Sequence, residues 1–107
     1  MSQLGPVLLF AVAAVLGAAG QLCVKRGAAG APLALVAGAL AFTGVLFLFT
    51  AGYRLGGRIG VVYPVYATTF VWGTLAGVLL DGEAWSVRQL VGVAVILIGT
   101  TLVATAR

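Results

Sequence analysis

The chain alternates between long apolar stretches and short polar connections. Four stretches of about twenty mostly apolar residues follow one another, and the connections between them carry almost all of the charged side chains. The stretches are Leu4–Val24, Pro32–Tyr53, Gly60–Leu80 and Val87–Ala106. A helix needs about 20 apolar residues to cross a bilayer, where its backbone polar groups must be satisfied within the segment. The pattern therefore predicts an all-α integral membrane protein in which residues 1–107 form a single domain of four transmembrane helices.

The composition supports this prediction and argues against a soluble domain. Hydrophobic residues make up 63% of the chain, charged residues only 7%, and the mean hydropathy is +1.21. The 16 glycines suit membrane helices, which associate through close backbone approach. The first stretch is expected to be a retained helix rather than a signal peptide, because no basic residue precedes it while Lys25 and Arg26 follow it directly.

The sequence contains no arrangement typical of an enzyme or a metal site. It has no histidine, and its single cysteine, Cys23, cannot form a disulfide within the chain. No nucleophile is spaced with a base, so we expect no catalytic activity, no metal and no cofactor. The basic residues lie at the ends of the predicted helices rather than in one patch, which argues against a nucleic-acid partner.

The basic residues do not decide the orientation of the chain in the membrane. Four spans place both termini on one side, and each side then has three basic residues, which normally bias topology. They are Arg54, Arg58 and Arg107 on the side of the termini, and Lys25, Arg26 and Arg88 on the other. Either the chain inserts both ways up, or a weaker cue such as the amino terminus sets its orientation. We favour dual insertion, because two opposed copies form the inverted repeat that many transporters use.

A polar stripe runs along the end of the first predicted helix. Gly17, Gln21 and Lys25 are spaced by four residues and so share one helix face. Gln21 lies inside the span and is expected to bond to a neighbouring helix or to line a cavity. Lys25 has two interpretations, a substrate contact or an interfacial anchor, whereas Arg26 is expected to be an anchor that reaches toward headgroups.

The third stretch is the richest in polar and aromatic side chains. Pro64 lies one turn inside it and is expected to kink the helix. Tyr63 fits an interfacial aromatic belt but joins Tyr66 and Thr69 as a candidate substrate contact. Tyr66 and Trp72 lie deeper in the span, where a hydroxyl and an indole N–H need partners, so we expect both to face a cavity.

Two glycine pairs are predicted to mediate helix packing. Gly73 and Gly77 form a small-xxx-small pair, and Gly92 and Gly99 are seven residues apart on the last helix. The second pair gives one continuous seam, for which contact with another chain is favoured over packing within the chain.

The connection before the last helix carries a helix-start signal and both acidic residues. Ser86 with Gln89 three positions later predicts a capping box. Asp81 and Glu83 are expected to be solvated turn charges, although Glu83 could instead pair with Arg88 or with Lys25.

These segments resemble small four-helix members of the drug/metabolite transporter superfamily. The lysine that ends helix one, Tyr63 and the seam on helix four resemble the small multidrug resistance proteins. In that branch a membrane-embedded glutamate lies eight residues before the lysine, where this chain has Gly17. The segments AGQLCVKRG, YPVYATTFVW and GEAWSVRQLVGVAVILIGT are more similar to the flippase subunits that move aminoarabinose-phospho-undecaprenol across the bacterial inner membrane. Longer EamA-type transporters share the closing pattern.

The resemblance implies a multi-pass inner-membrane transporter that works as a pair of chains. The leading hypothesis is a flippase for a lipid-linked sugar or similar anionic amphiphile, acting by alternating access as an antiparallel homodimer or as a heterodimer with a related four-helix chain. Lys25 would hold the phosphate together with Gln21, and the tyrosines would contact the sugar. Two alternatives stay open: an exporter of small molecules of the resistance type, and a non-transporting membrane subunit of a larger complex.

Overall fold

The computed structural model describes residues 3–105, which fold into helices joined by short turns. The helices are α1 (Leu4–Ala28), α2 (Pro32–Arg54), α3 (Ile59–Tyr66), α4 (Thr69–Leu80) and α5 (Val87–Ala104). Together α3 and α4 make one span, so the chain is a multi-pass membrane protein with four segments long and apolar enough to cross a bilayer. The predicted end of the last span, Ala106, lies outside the described residues.

The first helix is longer than the apolar pattern predicts. We expected it to end at Val24, whereas α1 continues to Ala28 and includes Lys25 and Arg26 in its last turn. Basic side chains are favourable there because they interact with the negative end of the helix dipole. The following turn contains Gly30 at φ 114°, and Pro32 begins α2, a position where its missing N–H costs nothing.

The helices form a slab that is thin along one axis. α1 packs against α2, α3 and α4, while α5 contacts α3 and, less extensively, α4. The principal-axis extents of the described part of the chain are 46 × 33 × 14 Å. No residue of α5 is buried.

Close contact between α1 and α2 depends on glycines that were not among the predicted packing positions. A Cβ added to Gly38 would lie 3.1 Å from the carbonyl oxygen of Gly20, and one added to Gly52 would lie 2.7 Å from the Phe10 ring. Phe10 is fully buried and stacks on Phe49 with ring centroids 4.6 Å apart. Small residues thus let two membrane helices approach closely enough for dispersion forces to hold them.

The third span breaks just after its proline rather than at it. The α-helical pattern stops at Tyr66 and restarts at Thr69. Across the break the backbone makes tighter i to i−3 bonds, from Ala67 N to the Pro64 oxygen at 2.9 Å and from Thr68 N to the Val65 oxygen at 3.1 Å. The Thr68 hydroxyl also donates to the Val65 oxygen at 2.8 Å, so a side chain competes with the helical ladder. The expected kink is a discontinuity between two short helices.

Hydrogen bonds join the residue before α1 to the α2–α3 turn, on the side where the chain begins. The Gln3 side chain donates to the Gly56 carbonyl oxygen at 3.1 Å and accepts from the Arg58 backbone N–H at 2.9 Å. These bonds hold the α2–α3 turn against the start of α1. We call Gln3, Gly56 and Arg58 the amide end.

At the opposite side, the predicted capping box is confirmed: Ser86 and Gln89 bond each other's backbone N–H at the start of α5.

Candidate functional site

Two adjoining cavities lie between α1 and α4. The larger, of about 460 Å³, is called the polar cavity; beside apolar residues such as Phe70 and Val78, its lining includes the polar residues Gln21, Tyr66, Thr69, Thr74, Glu83 and Gln89. The smaller, of about 230 Å³, is called the lysine cavity and is lined by Lys25, Gln21, Gly77, Asp81 and Glu83 among others. Gln21 and Glu83 line both, so the two cavities adjoin along one surface.

The stripe predicted on the first helix faces this surface. Gly17 is buried where a Cβ would collide with the Tyr66 hydroxyl and would lie 3.4 Å from the Thr69 hydroxyl. Gln21 follows one turn later, and its side chain makes no hydrogen bond to any other residue between 3 and 105. Gly17 therefore provides the space into which the Tyr66 hydroxyl projects, and Gln21 has an amide available for a ligand.

Lys25 lies in a cluster of charges that closes one edge of the lysine cavity. Its ammonium is 3.0 Å from Asp81 Oδ2 and also donates to Glu83. Arg26 donates to Asp81 Oδ1 at 3.0 Å. We call these four residues the charged end. Arg26 was expected to reach for headgroups and instead pairs with Asp81. Glu83 is half exposed, and of the partners considered for it the structure has Lys25.

Asp81 is the best covered member of the charged end. Its side chain is 16% exposed, against about half for Lys25 and for Glu83. Hydrogen bonds from Lys25, and then from Arg26, stabilise the ionised carboxylate, so the pKa of Asp81 is held below its usual value of 3.8. This residue lies just after α4, and it fixes the α4–α5 connection against the end of α1.

The structure brings some predicted contacts together and separates others. Gln21, Tyr66 and Thr69 share the polar cavity, and Lys25 lies in the adjoining one. Tyr63 is mostly exposed and lines a third hollow of about 350 Å³, which shares Tyr66 and Thr69 with the polar cavity. Trp72 lines neither the polar nor the lysine cavity, and 42% of it is exposed.

Three polar residues that line the polar cavity were not predicted as contacts. Thr74 is eight residues after Tyr66, so helical periodicity through the third span could have identified it. The same periodicity explains why Trp72 does not line these cavities. It lies one position before Gly73, which lines the polar cavity, so its side chain points about 100° away from that direction. Glu83 and Gln89 reach the polar cavity from the α4–α5 connection and the start of α5, which no periodic pattern within one helix indicates.

The predicted packing glycines differ in their surroundings. A Cβ added to Gly77 would lie 2.5 Å from the Glu83 carboxylate, so this glycine is in close contact. Gly73, Gly92 and Gly99 have no atom of the described residues within 4 Å of an added Cβ, apart from their immediate surroundings on the helix. Contact of the α5 seam with a second chain therefore stays a prediction.

Comparison with curated proteins finds relatives along nearly the whole chain. A protein of Erwinia tasmaniensis is 31% identical over 101 residues, which cover 90% of this chain and 94% of the relative. Proteins of Escherichia coli are 34% identical over 103 residues, covering 89% and 93%. Each is named probable 4-amino-4-deoxy-L-arabinose-phosphoundecaprenol flippase subunit ArnE. No protein-family model matches the chain, and no solved structure does.

Proposed function

The chain belongs to the family of ArnE-type flippase subunits, and from this premise we propose that it carries a polyprenyl-phosphate-linked sugar across the bacterial inner membrane. The relatives are named for a phosphoundecaprenol that bears an amino sugar. The proposed substrate therefore has three parts: a long apolar tail, a phosphate and a polar sugar. The proposed role is transport and requires no catalytic residue.

The observation that carries the proposal is the continuity of the two cavities. The lysine cavity supplies an ammonium for a phosphate, because Lys25 lies at its edge. The polar cavity beside it supplies neutral hydroxyl and amide groups, from Gln21, Tyr66 and Thr69, which suit the hydroxyls of a sugar. Both cavities are open rather than enclosed, so in this proposal the polyprenyl tail remains among lipid chains while the headgroup is bound.

The absence of a carboxylate within any span favours an anionic substrate over a cationic one. Both acidic residues of the chain, Asp81 and Glu83, lie in the α4–α5 connection. At Gly17, where the resistance-type exporters have a buried glutamate, the structure has the Tyr66 hydroxyl so close that an added Cβ would displace it. A cation at mid-membrane would meet hydroxyls there rather than a negative charge.

A partner chain is part of the proposal because this chain does not enclose the two cavities. A headgroup bound there would be exposed to lipid on the side that the chain leaves open. A second four-helix chain placed over this face would enclose the headgroup. An antiparallel copy or a related chain would serve, and the exposed Gly92–Gly99 face of α5 offers one surface for close helix contact.

The test is translocation of a fluorescent polyprenyl-phosphate sugar by the protein reconstituted in vesicles, together with any chain that co-purifies. Lys25→Gln should slow translocation about tenfold or more, because the phosphate loses its charge-assisted hydrogen bonds. The matched control is Arg58→Gln, which removes one positive charge at the amide end and should leave the rate within about twofold. Equal rates for wild type and Lys25→Gln would contradict the proposal.

A further inference from the structure

We propose that Glu83 is an internal counterion that occupies Lys25 and competes with the anionic headgroup of the substrate for it. The inference rests on the proposed function, since it needs Lys25 to be the phosphate contact. It assigns a role to a residue that lines both cavities and that no helical pattern singled out.

The first support is the position of the Glu83 carboxylate. It accepts a hydrogen bond from the Lys25 ammonium, and it lies where the polar and lysine cavities meet. A carboxylate and a phosphate oxygen present the same chemistry to an ammonium, an anionic acceptor of charge-assisted hydrogen bonds. A phosphate approaching Lys25 from the polar cavity therefore competes with Glu83 for this ammonium.

The second support is the way in which the backbone aims this side chain back at the slab. Gly82 has φ 66°, a conformation that favours glycine, and it reverses the chain after α4. The Glu83 N–H then donates to the Gly77 carbonyl oxygen at 3.0 Å. Gly77 leaves no side chain in the way, so the carboxylate lies directly against α4. The connection is thus built to hold an acid at the mouth of the lysine cavity.

The third support is that the two acidic residues differ in their partners and in their exposure. Asp81 pairs with both Lys25 and Arg26, and its side chain is only 16% exposed. Glu83 pairs with Lys25, and its side chain is 51% exposed. Glu83 can therefore swing away while Asp81 continues to fix the connection to the end of α1. Exposed ion pairs contribute little free energy, so exchange of this one for a phosphate is readily reversible.

The experiment measures binding of geranylgeranyl monophosphate to the purified protein in detergent, with the uncharged alcohol geranylgeraniol as the control probe. Glu83→Gln should tighten binding of the phosphate about three- to fivefold, the effect expected from removing one exposed competing ion pair. Binding of the alcohol should not change. Gly77→Ala should act in the same direction, because the added methyl displaces the carboxylate while its charge remains.

Two controls separate displacement from a general effect of charge. Ala84→Lys raises the net charge by the same one unit as Glu83→Gln, at an exposed neighbour that lines neither cavity, and should tighten phosphate binding less than Glu83→Gln. In a Lys25→Gln background the gain from Glu83→Gln should disappear, since the two residues act through one contact. If Glu83→Gln does not fold, Gly77→Ala carries the same test.

The possible results distinguish this inference from the proposed function. Weaker binding in Lys25→Gln with no gain in Glu83→Gln or Gly77→Ala overturns the role of Glu83 and leaves the flippase proposal standing. Equal gains from Glu83→Gln and Ala84→Lys also overturn it. Unchanged phosphate binding in Lys25→Gln overturns the proposed function itself, and the inference with it.

Discussion

The two ends of the slab are held together by different chemistry. At the charged end, Lys25 and Arg26 are joined to Asp81 and Glu83 by ion pairs. At the amide end, a single neutral side chain, Gln3, bonds two backbone groups of the α2–α3 turn. One end thus has four paired charges beside a cavity, and the other has a neutral amide bridge.

The contrast indicates which end is suited to respond to a ligand. Ion pairs at a surface are weak and are screened by salt, so a charged ligand can replace one partner. Hydrogen bonds from an amide to backbone groups offer an anionic ligand nothing to exchange. Arg54 and Arg58 lie near the amide end, and neither guanidinium forms an ion pair with another residue in the described part of the chain. This contrast supports the proposed role of Lys25 at the charged end and gives Gln3 at the amide end a structural role.

The largest predicted difference comes from reversing a charge at each end. Asp81→Lys would place three cations together and release the α4–α5 connection. Amide hydrogen exchange at residues 81–86 should then become about tenfold faster, because two exposed ion pairs are lost. Arg58→Glu should leave exchange at residues 56–58 nearly unchanged, because its guanidinium has no acidic partner there. Similar acceleration at both ends would remove the contrast.

A smaller effect is expected from removing the amide bridge. Gln3→Ala eliminates both hydrogen bonds to the α2–α3 turn and should destabilise the fold by about 1 kcal/mol, measured by unfolding in mixed micelles. Gln3→Glu keeps the acceptor for the Arg58 N–H but loses the donor to the Gly56 oxygen, so its loss should be intermediate. Stability that is the same in Gln3→Ala and wild type would show that the bridge is dispensable.

The smallest effect is a difference in pH response. The pKa of Asp81 is lowered by hydrogen bonds from Lys25 and then Arg26, so the stability it contributes is present above the usual value of 3.8 and is lost only as the pH falls through its lower folded value. The amide bridge contains no titrating group. Carbon-13 NMR of the Asp81 carboxyl in micelles should show the low pKa, and Arg26→Gln should raise it, though by less than Lys25→Gln. A titration at 3.8 in the intact protein would contradict the pairing.

The apolar pattern of the sequence predicted the spans and the capping box because both depend on neighbouring residues. The four stretches match the helices to within a few residues at each described end, and Ser86 with Gln89 caps α5. The spacing of Gly17, Gln21 and Lys25 also predicted one shared face, which the structure places against the two cavities. Periodicity within one helix carries this information reliably.

What the sequence left open depends on how distant segments meet. Glu83 had several possible partners, and only the packing of α4 against α1 brings it to Lys25, which is 58 residues earlier. The helix break was expected at Pro64, but the hydroxyl of Thr68 and the tight backbone bonds around it move the discontinuity downstream. Trp72 was expected in a cavity on account of its depth alone, although its position on the helix turns it away.

The openness of the two cavities has a consequence for how specificity can evolve. A headgroup bound in them would touch this chain on one side, so the rest of its surroundings would come from whatever lies opposite. Exchange of the opposite chain would then alter which headgroups are accepted, with no substitution in these 107 residues.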